Sequence, residues 1–276
     1  MRVLLTESRD AQGAQSVDYS LALGEDTISL NPLIGRSIRL EFSLAIACTH
    51  CGRKTKKSFS QGYCYPCFQS LAQCDRCIMS PELCHFDQGT CREPEWGQSF
   101  CMTDHVVYLA NSSGLKVGIT RASQIPTRWI DQGAVAAIPF ARVATRQQAG
   151  LLETVLKQHV ADKTNWRTML KGEQCSVDLA LARDELEQAI AEEFTQLQDR
   201  FGLQALQLVD LPAISIAYPV QQYPGKIISL NADKGPDVRG VLQGIKGQYL
   251  LLDTGVINLR KYTGYEVTLH TGGDAA

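Results

Sequence analysis

Nine of the ten cysteines lie between positions 48 and 101, in the run CTHCGRKTKKSFSQGYCYPCFQSLAQCDRCIMSPELCHFDQGTCREPEWGQSFC. Two residues separate Cys48 from Cys51 and Cys64 from Cys67, and twelve residues separate the pairs. Each C-x2-C turn carries two sulfurs to one side of the backbone, and two such knuckles close a tetrahedron around one Zn²⁺. Gly52 and Gly62 supply the backbone freedom that such turns favour. A third knuckle, Cys74 and Cys77, opens a second set. Even spacing selects Cys84 and Cys91 to complete it, while His85, Cys101 and His105 compete for the same places. The expectation is two structural zinc sites, one built from Cys48, Cys51, Cys64 and Cys67, the other from Cys74, Cys77, Cys84 and Cys91. An iron–sulfur cluster also takes four thiolates, so the choice of zinc rests on the knuckles. Cys175 stands apart and reads as a buried or free thiol.

The loop between the first two knuckles contains Arg53, Lys54, Lys56 and Lys57, four positive charges in five residues. That is a local footprint for phosphate, although a solvated loop has the same composition. The net charge of −2 excludes a wholly basic nucleic-acid coat but not a basic face. No apolar run approaches the roughly 18 residues that a membrane helix needs; VAAIPFA (135–141) is among the longest. Glu7 interrupts the apolar start MRVLLTESRD, which gives no secretory core segment. A cytoplasmic protein with no membrane partner is expected. There, clustered thiols are metal ligands rather than disulfides.

Composition divides the chain of 276 residues into four segments. Residues 1–47 form an N-terminal β segment containing IRLEFSLAI (38–46). Residues 48–105 are the cysteine-rich zinc-binding region, too poor in aliphatic residues for an ordinary core. Residues 106–203 alternate strands and helices. Val106 to Arg121 reads as a hairpin turning at Asn111–Gly114. Pro126 and Gly133 bracket a helix. Thr145 caps another that carries Ala149, Leu152, Leu156 and Val160 on one face. Ser176 opens a longer helix with a Leu186, Ile190, Phe194, Leu197, Phe201 stripe and Gly202 as its stop. Residues 204–276 form a C-terminal β domain with strands at KIISL, VRGVLQ, QYLLLD, GVINLR and YEVTL. The N-terminal strands are expected to close it into a small antiparallel barrel or sandwich, since a lone small sheet leaves exposed edges.

Strand with tyrosine, turn, strand ending Gly-Ile-Thr, helix with arginine, strand, helix with glutamate: this order over about residues 105–166 resembles the GIY-YIG nuclease superfamily. Val106-Val107-Tyr108 stands for the first half of its motif and Lys116-Val117-Gly118 for the second, with Lys116 in place of a tyrosine. The resemblance implies that Arg128 is the helix arginine, Glu153 the metal-binding glutamate and Asn165 the later asparagine. It further implies one Mg²⁺ or Mn²⁺ on Glu153, a water attacking the phosphodiester, Tyr108 assisting proton transfer and Arg128 stabilising the phosphorane. Lys116 would contact a phosphate or, desolvated, act as a base. The pieces GTCREPEW, SSGLKVGITR, PTRWIDQGA and DKTNW are similar to blocks of an uncharacterised bacterial family, which implies no activity.

The expected architecture is α+β: a GIY-YIG-like α/β module, a zinc-ribbon-like insert, and a β barrel or sandwich formed by the chain ends. The expected function is nucleic-acid binding, DNA or RNA, with divalent-metal-dependent endonuclease activity as the implied chemistry. The alternative is a non-catalytic, zinc-stabilised adaptor for nucleic acid or protein. Gly118 is expected to leave room for a phosphate or a helix beside the hairpin. Trp129 and Trp166 read as packing anchors, and His159 as exposed.

Overall fold

The computed structural model describes residues 2–10, 12–161, 163–173 and 175–272. Three short strands open the chain, β1 (Arg2–Arg9), β2 (Gln15–Leu23) and β3 (Asp26–Ser29). A longer one follows, β4 (Ser37–Ala47). The cysteine-rich stretch contains only short elements: β5 (Lys54–Thr55), α1 (Tyr65–Ser70), α2 (Arg76–Met79) and α3 (Pro94–Phe100). Then come the hairpin β6 (His105–Asn111) and β7 (Leu115–Arg121), helix α4 (Thr127–Asp131), strand β8 (Ala136–Val143) and helix α5 (Arg146–Leu156). Helices α6 (Trp166–Leu170), α7 (Leu179–Ala189) and α8 (Ala191–Phe201) complete the helical part. Six strands end the chain: β9 (Leu206–Leu208), β10 (Ile214–Ala217), β11 (Asp237–Lys246), β12 (Tyr249–Leu252), β13 (Gly255–Asn258) and β14 (Tyr265–Thr271).

The protein is mixed α+β with two sheets. One runs β1-β2-β10-β8-β6-β7, with β3 on β2 and β9 on β8; the other runs β13-β12-β11-β4-β14, with β5 on β4, and curls into a half-barrel. The ends of the chain therefore share the second sheet through β4 alone, which pairs with both β11 and β14. The remaining N-terminal strands join the central sheet through a short parallel pairing of β2 with β10. KIISL (226–230) is not a strand; Ser229 makes a single bridge to Val256.

Side chains alternate across β6, as the pleat requires. Val106, Tyr108 and Ala110 enter a core shared with the half-barrel, while Val107 and Leu109 enter one shared with α5, α7 and α8. The central sheet is thus the middle of three layers, and its strand β6 is buried on both faces.

Thr145 caps α5 in a full capping box with Gln148. The long helix expected from Ser176 differs: Asp178 caps it, accepting from the backbone of Ala180 and Leu181, and the run divides at Ile190. Ile190 is fully buried, so the break keeps its side chain in the core while each half packs separately. Gly118 also has another purpose than the one expected. It faces Tyr108 across the hairpin, and a Cβ there would come within 2.7 Å of the Tyr108 hydroxyl. The space serves the tyrosine ring.

Candidate functional site

The first knuckle pair is held by the backbone. Gly52 donates to the Cys48 carbonyl at 2.8 Å with a left-handed φ of +70°, and Cys64 stands just before α1. The result brings the sulfurs of Cys48, Cys51, Cys64 and Cys67 all within 4.8 Å of one another. Cys51 and Cys64 are 3.7 Å apart. Four thiolates at about 2.3 Å from a tetrahedral Zn²⁺ are about 3.8 Å apart, so the donor set fits that ion. Electrostatics agree. Burial pushes Cys48 up, but backbone donors at Cys51, Cys64 and His50 outweigh it and hold the thiol down at about 6. Cys67, pushed up by burial and then by the three neighbouring thiols, moves well above the usual range. Four adjacent thiolates repel one another, and a divalent cation among them removes that cost.

The second set is arranged differently. Cys74 packs against the first cluster rather than completing a second. Asp75, Cys77 and His85 bring donor atoms within 4.8 Å of one another and could hold a metal ion. Cys84, Cys91 and Cys101 line a cavity together with Cys77. His105 is fully buried away from them; its Nδ1 donates to the Thr103 carbonyl at 2.6 Å, and burial lowers it to about 4.

The basic loop is exposed at Arg53, Lys54, Lys56 and Lys57, with Lys57 over the Phe59 ring at 5.2 Å. Of the residues expected around the hairpin, the structure brings most together. Tyr108 is fully buried and donates to Gln132 Oε1 at 3.0 Å; the buried Lys116 donates to the same oxygen. Burial pushes Tyr108 up to about 12, against the pull of the Arg128 charge and with a further push from Glu153. Tyr108, Arg128 and Glu153 therefore share one electrostatic environment. The Glu153 side chain is only 13% exposed and pairs with Lys157 at 3.1 Å. Asn165 stands elsewhere: its side chain caps α6, accepting from the backbone of Arg167 and Thr168. Trp129 is buried, and Trp166 stacks on Tyr249 at 5.7 Å.

Beside this group opens a cleft of about 580 Å³ whose lining includes Arg121, Arg128, Arg146 and Arg260. They come from β7, α4, the start of α5 and the segment after β13. Asp131 is the one carboxylate among the lining residues. Burial raises it, and it accepts from Gln248. Arg146 donates to the Ile78 carbonyl at 2.7 Å, and burial together with the Arg128 charge lowers its pKa. Arg260 donates to Gln61 at 2.6 Å, which ties the cleft to the first knuckle loop. Gln132, Arg121, Arg146 and Arg260 were missed in the sequence, where each is a single polar residue in an unremarkable context.

A mixed α+β protein with a four-cysteine centre that could bind zinc is the class these features define. Residues 35–267 match the family described as "protein of unknown function (DUF2797)", and the chain belongs to that family. Neither the curated proteins nor the solved structures contain a match to it. Among the described residues, no helix is long and apolar enough to cross a membrane.

Proposed function

We propose that this protein binds the phosphate backbone of a nucleic acid in the arginine cleft, with the Cys48–Cys67 zinc centre bracing one wall. The observation that carries this reading is the convergence of four guanidinium groups on one cleft against a single carboxylate. Arginine forks match phosphate oxygens, and a cleft lined by one sign of charge attracts a polyanion. The exposed Arg53–Lys57 loop extends the same positive character. The order hairpin, α4, β8, α5 supports a GIY-YIG-like module over residues 106–203. The 48–105 insert and the C-terminal β domain then serve as its flanks.

A second reading, phosphodiester cleavage, is favoured by the shared environment of Tyr108, Arg128 and Glu153. Glu153 is a mostly buried carboxylate, paired with Lys157 and within electrostatic reach of Arg146 and Tyr108, and a carboxylate of this kind is a donor suited to one hard cation such as Mg²⁺ or Mn²⁺. Such an ion would polarise a phosphate oxygen. Arg128 would meet the charge that grows on the phosphorane. Tyr108 would keep its proton at neutral pH and so act as a donor rather than a base. Lys116 holds Gln132 in place, and Gln132 orients the Tyr108 hydroxyl.

The test uses the full zinc-loaded chain with duplex DNA and with single-stranded RNA. Arg128→Gln should weaken binding by about 10- to 100-fold, the value of one charge-assisted phosphate contact. Unchanged affinity would contradict the cleft as the binding surface. If Mg²⁺ or Mn²⁺ supports cleavage, Glu153→Gln should abolish it and leave affinity within a few-fold. Cleavage surviving that change would remove Glu153 from its role. Binding without cleavage on every substrate would favour the adaptor.

A further inference from the structure

His85 Nε2 and Asp75 Oδ2 stand 3.6 Å apart, and Cys77 Sγ completes a set whose donor atoms all lie within 4.8 Å of one another. These residues lie outside the Cys48–Cys67 centre. They line a cavity walled by Ile78, Phe86 and Trp96, with about 10 Å³ of space, room for one water-sized ion. Cys84, Cys91 and Cys101 line it too, yet among the described residues none of them belongs to a set of donors as close as this one. We propose that Asp75, Cys77 and His85 hold a second, single Zn²⁺, with a water from the solvent side in the fourth place.

Three observations support this set. First, 3.6 Å is too long for a hydrogen bond between imidazole and carboxylate. Nitrogen and oxygen ligands at about 2.0–2.2 Å from one tetrahedral zinc stand about 3.4 Å apart. The two groups are spaced as ligands of one ion. Second, the ring proton of His85 is accounted for. The Thr90 hydroxyl donates to the His85 carbonyl at 3.3 Å, so its oxygen accepts from His85 Nδ1 at 2.7 Å. Nε2 then turns a lone pair toward Asp75, and two acceptors and a thiol face a single point, an arrangement that a cation relieves. Third, both oxygen and nitrogen donors have an outer partner. Thr90 holds the imidazole, while Arg92 Nε donates to Asp75 Oδ2 at 2.7 Å and Arg92 is itself bonded to the Leu71 carbonyl at 3.3 Å. Such partners fix the orientation of ligating groups.

One imidazole, one thiolate and one carboxylate suit a tetrahedral Zn²⁺. The side chains of His85 and Asp75 keep 26% and 13% of their surface exposed, which leaves the fourth position open to water. The Cys77 thiol gives its proton to solvent as the zinc–sulfur bond forms. Asp75 thus takes the part that spacing offered to Cys74. The ion also anchors α2 behind the cleft: the Ile78 carbonyl accepts from Arg146 at 2.7 Å, and Ile78 and Met79 line the cleft.

The full chain, with its thiols reduced, should be saturated with Zn²⁺ and freed of excess. Two zinc per chain are expected, one removed quickly by EDTA from the open three-ligand site and the other slowly. Cys77→Ser and His85→Gln should each contain one zinc and lack the quick phase; zinc retained at the first centre shows that these variants are folded there. Asp75→Asn should lose the second zinc faster still. Cys84→Ser, Cys91→Ser and Cys101→Ser should keep two. With Co²⁺ in place of Zn²⁺, the difference spectrum between wild type and His85→Gln should carry the charge-transfer absorption of one thiolate. A single zinc in the wild type would overturn the site. Two zinc in His85→Gln, an unchanged release rate in Asp75→Asn, or a zinc lost from the Cys84, Cys91 or Cys101 variant would overturn the ligand set, as would a difference band of several thiolates. Each outcome is independent of whether the cleft binds nucleic acid.

Discussion

The cysteine knuckle and the arginine cleft share a wall at Arg260 and Gln61, yet they are built in opposite ways. All four ligands of the knuckle fall between residues 48 and 67, and tight turns set their geometry. The arginines of the cleft range from residue 121 to residue 260, and two sheets must assemble before they meet. One site is a local device that a metal can close. The other is a product of the whole fold, and its like charges repel one another. Loss of metal should therefore damage the cleft, while loss of a cleft arginine should leave the metal in place.

The largest expected effect follows from that asymmetry. Cys48→Ser should release the zinc from the first centre. Structural zinc contributes on the order of 10 kcal/mol to folding small metal-held segments, and residues 48–67 contain few apolar side chains to replace it. Limited proteolysis should cut within 48–67, and nucleic-acid affinity should fall with it through the Arg260–Gln61 contact. A variant that keeps both its zinc and its protease resistance would break the comparison from the metal side. The converse is Arg128→Gln with Arg260→Gln, which should weaken binding by about 100-fold or more while zinc content stays unchanged.

Acid separates the two regions further. His105 is neutral in the fold, lowered to about 4 by burial from an ordinary 6.5. Its contribution is present above pH 6.5 and is lost as the pH falls through about 4, a loss of about 3 kcal/mol in all. His105→Gln should flatten the fall in urea midpoint over that window. A wild-type slope retained in the variant would place the acid sensitivity in the thiolates instead. The smallest effect is expected at the rim. Neutralising Lys56 and Lys57 should weaken binding only a few-fold, because both are exposed at the surface where salt screens their charge; an effect as large as that of Arg128→Gln would shift the binding surface onto the knuckle loop.

Legibility in the sequence follows the same division. The knuckle residues, the hairpin, the Thr145 cap and strand β4 were all readable, because each depends on spacing over a few residues. Cys74 illustrates the limit: it has the spacing of a knuckle, yet it packs on the first centre while Cys77 turns to the other cavity. Asn165 shows another, since a residue at a fitting distance along the chain proved to be a helix cap. The cleft could not be read at all beyond Arg128. Arg260 is brought to it by β13 and the half-barrel, and no local pattern marks such an approach. The N-terminal β segment was expected, but not its place: β2 joins the central sheet through β10, about 200 residues further along the chain, rather than closing the C-terminal barrel.

The most direct measurement is the affinity of the full chain for a short duplex across a series of salt concentrations, with wild type and the Arg128→Gln, Arg260→Gln double variant side by side. Each phosphate contact contributes about 0.9 to the slope of log affinity against log salt. The double variant should have a slope shallower by about 2 and weaker binding at every concentration, with its zinc intact. Superimposable lines would contradict phosphate binding in the arginine cleft.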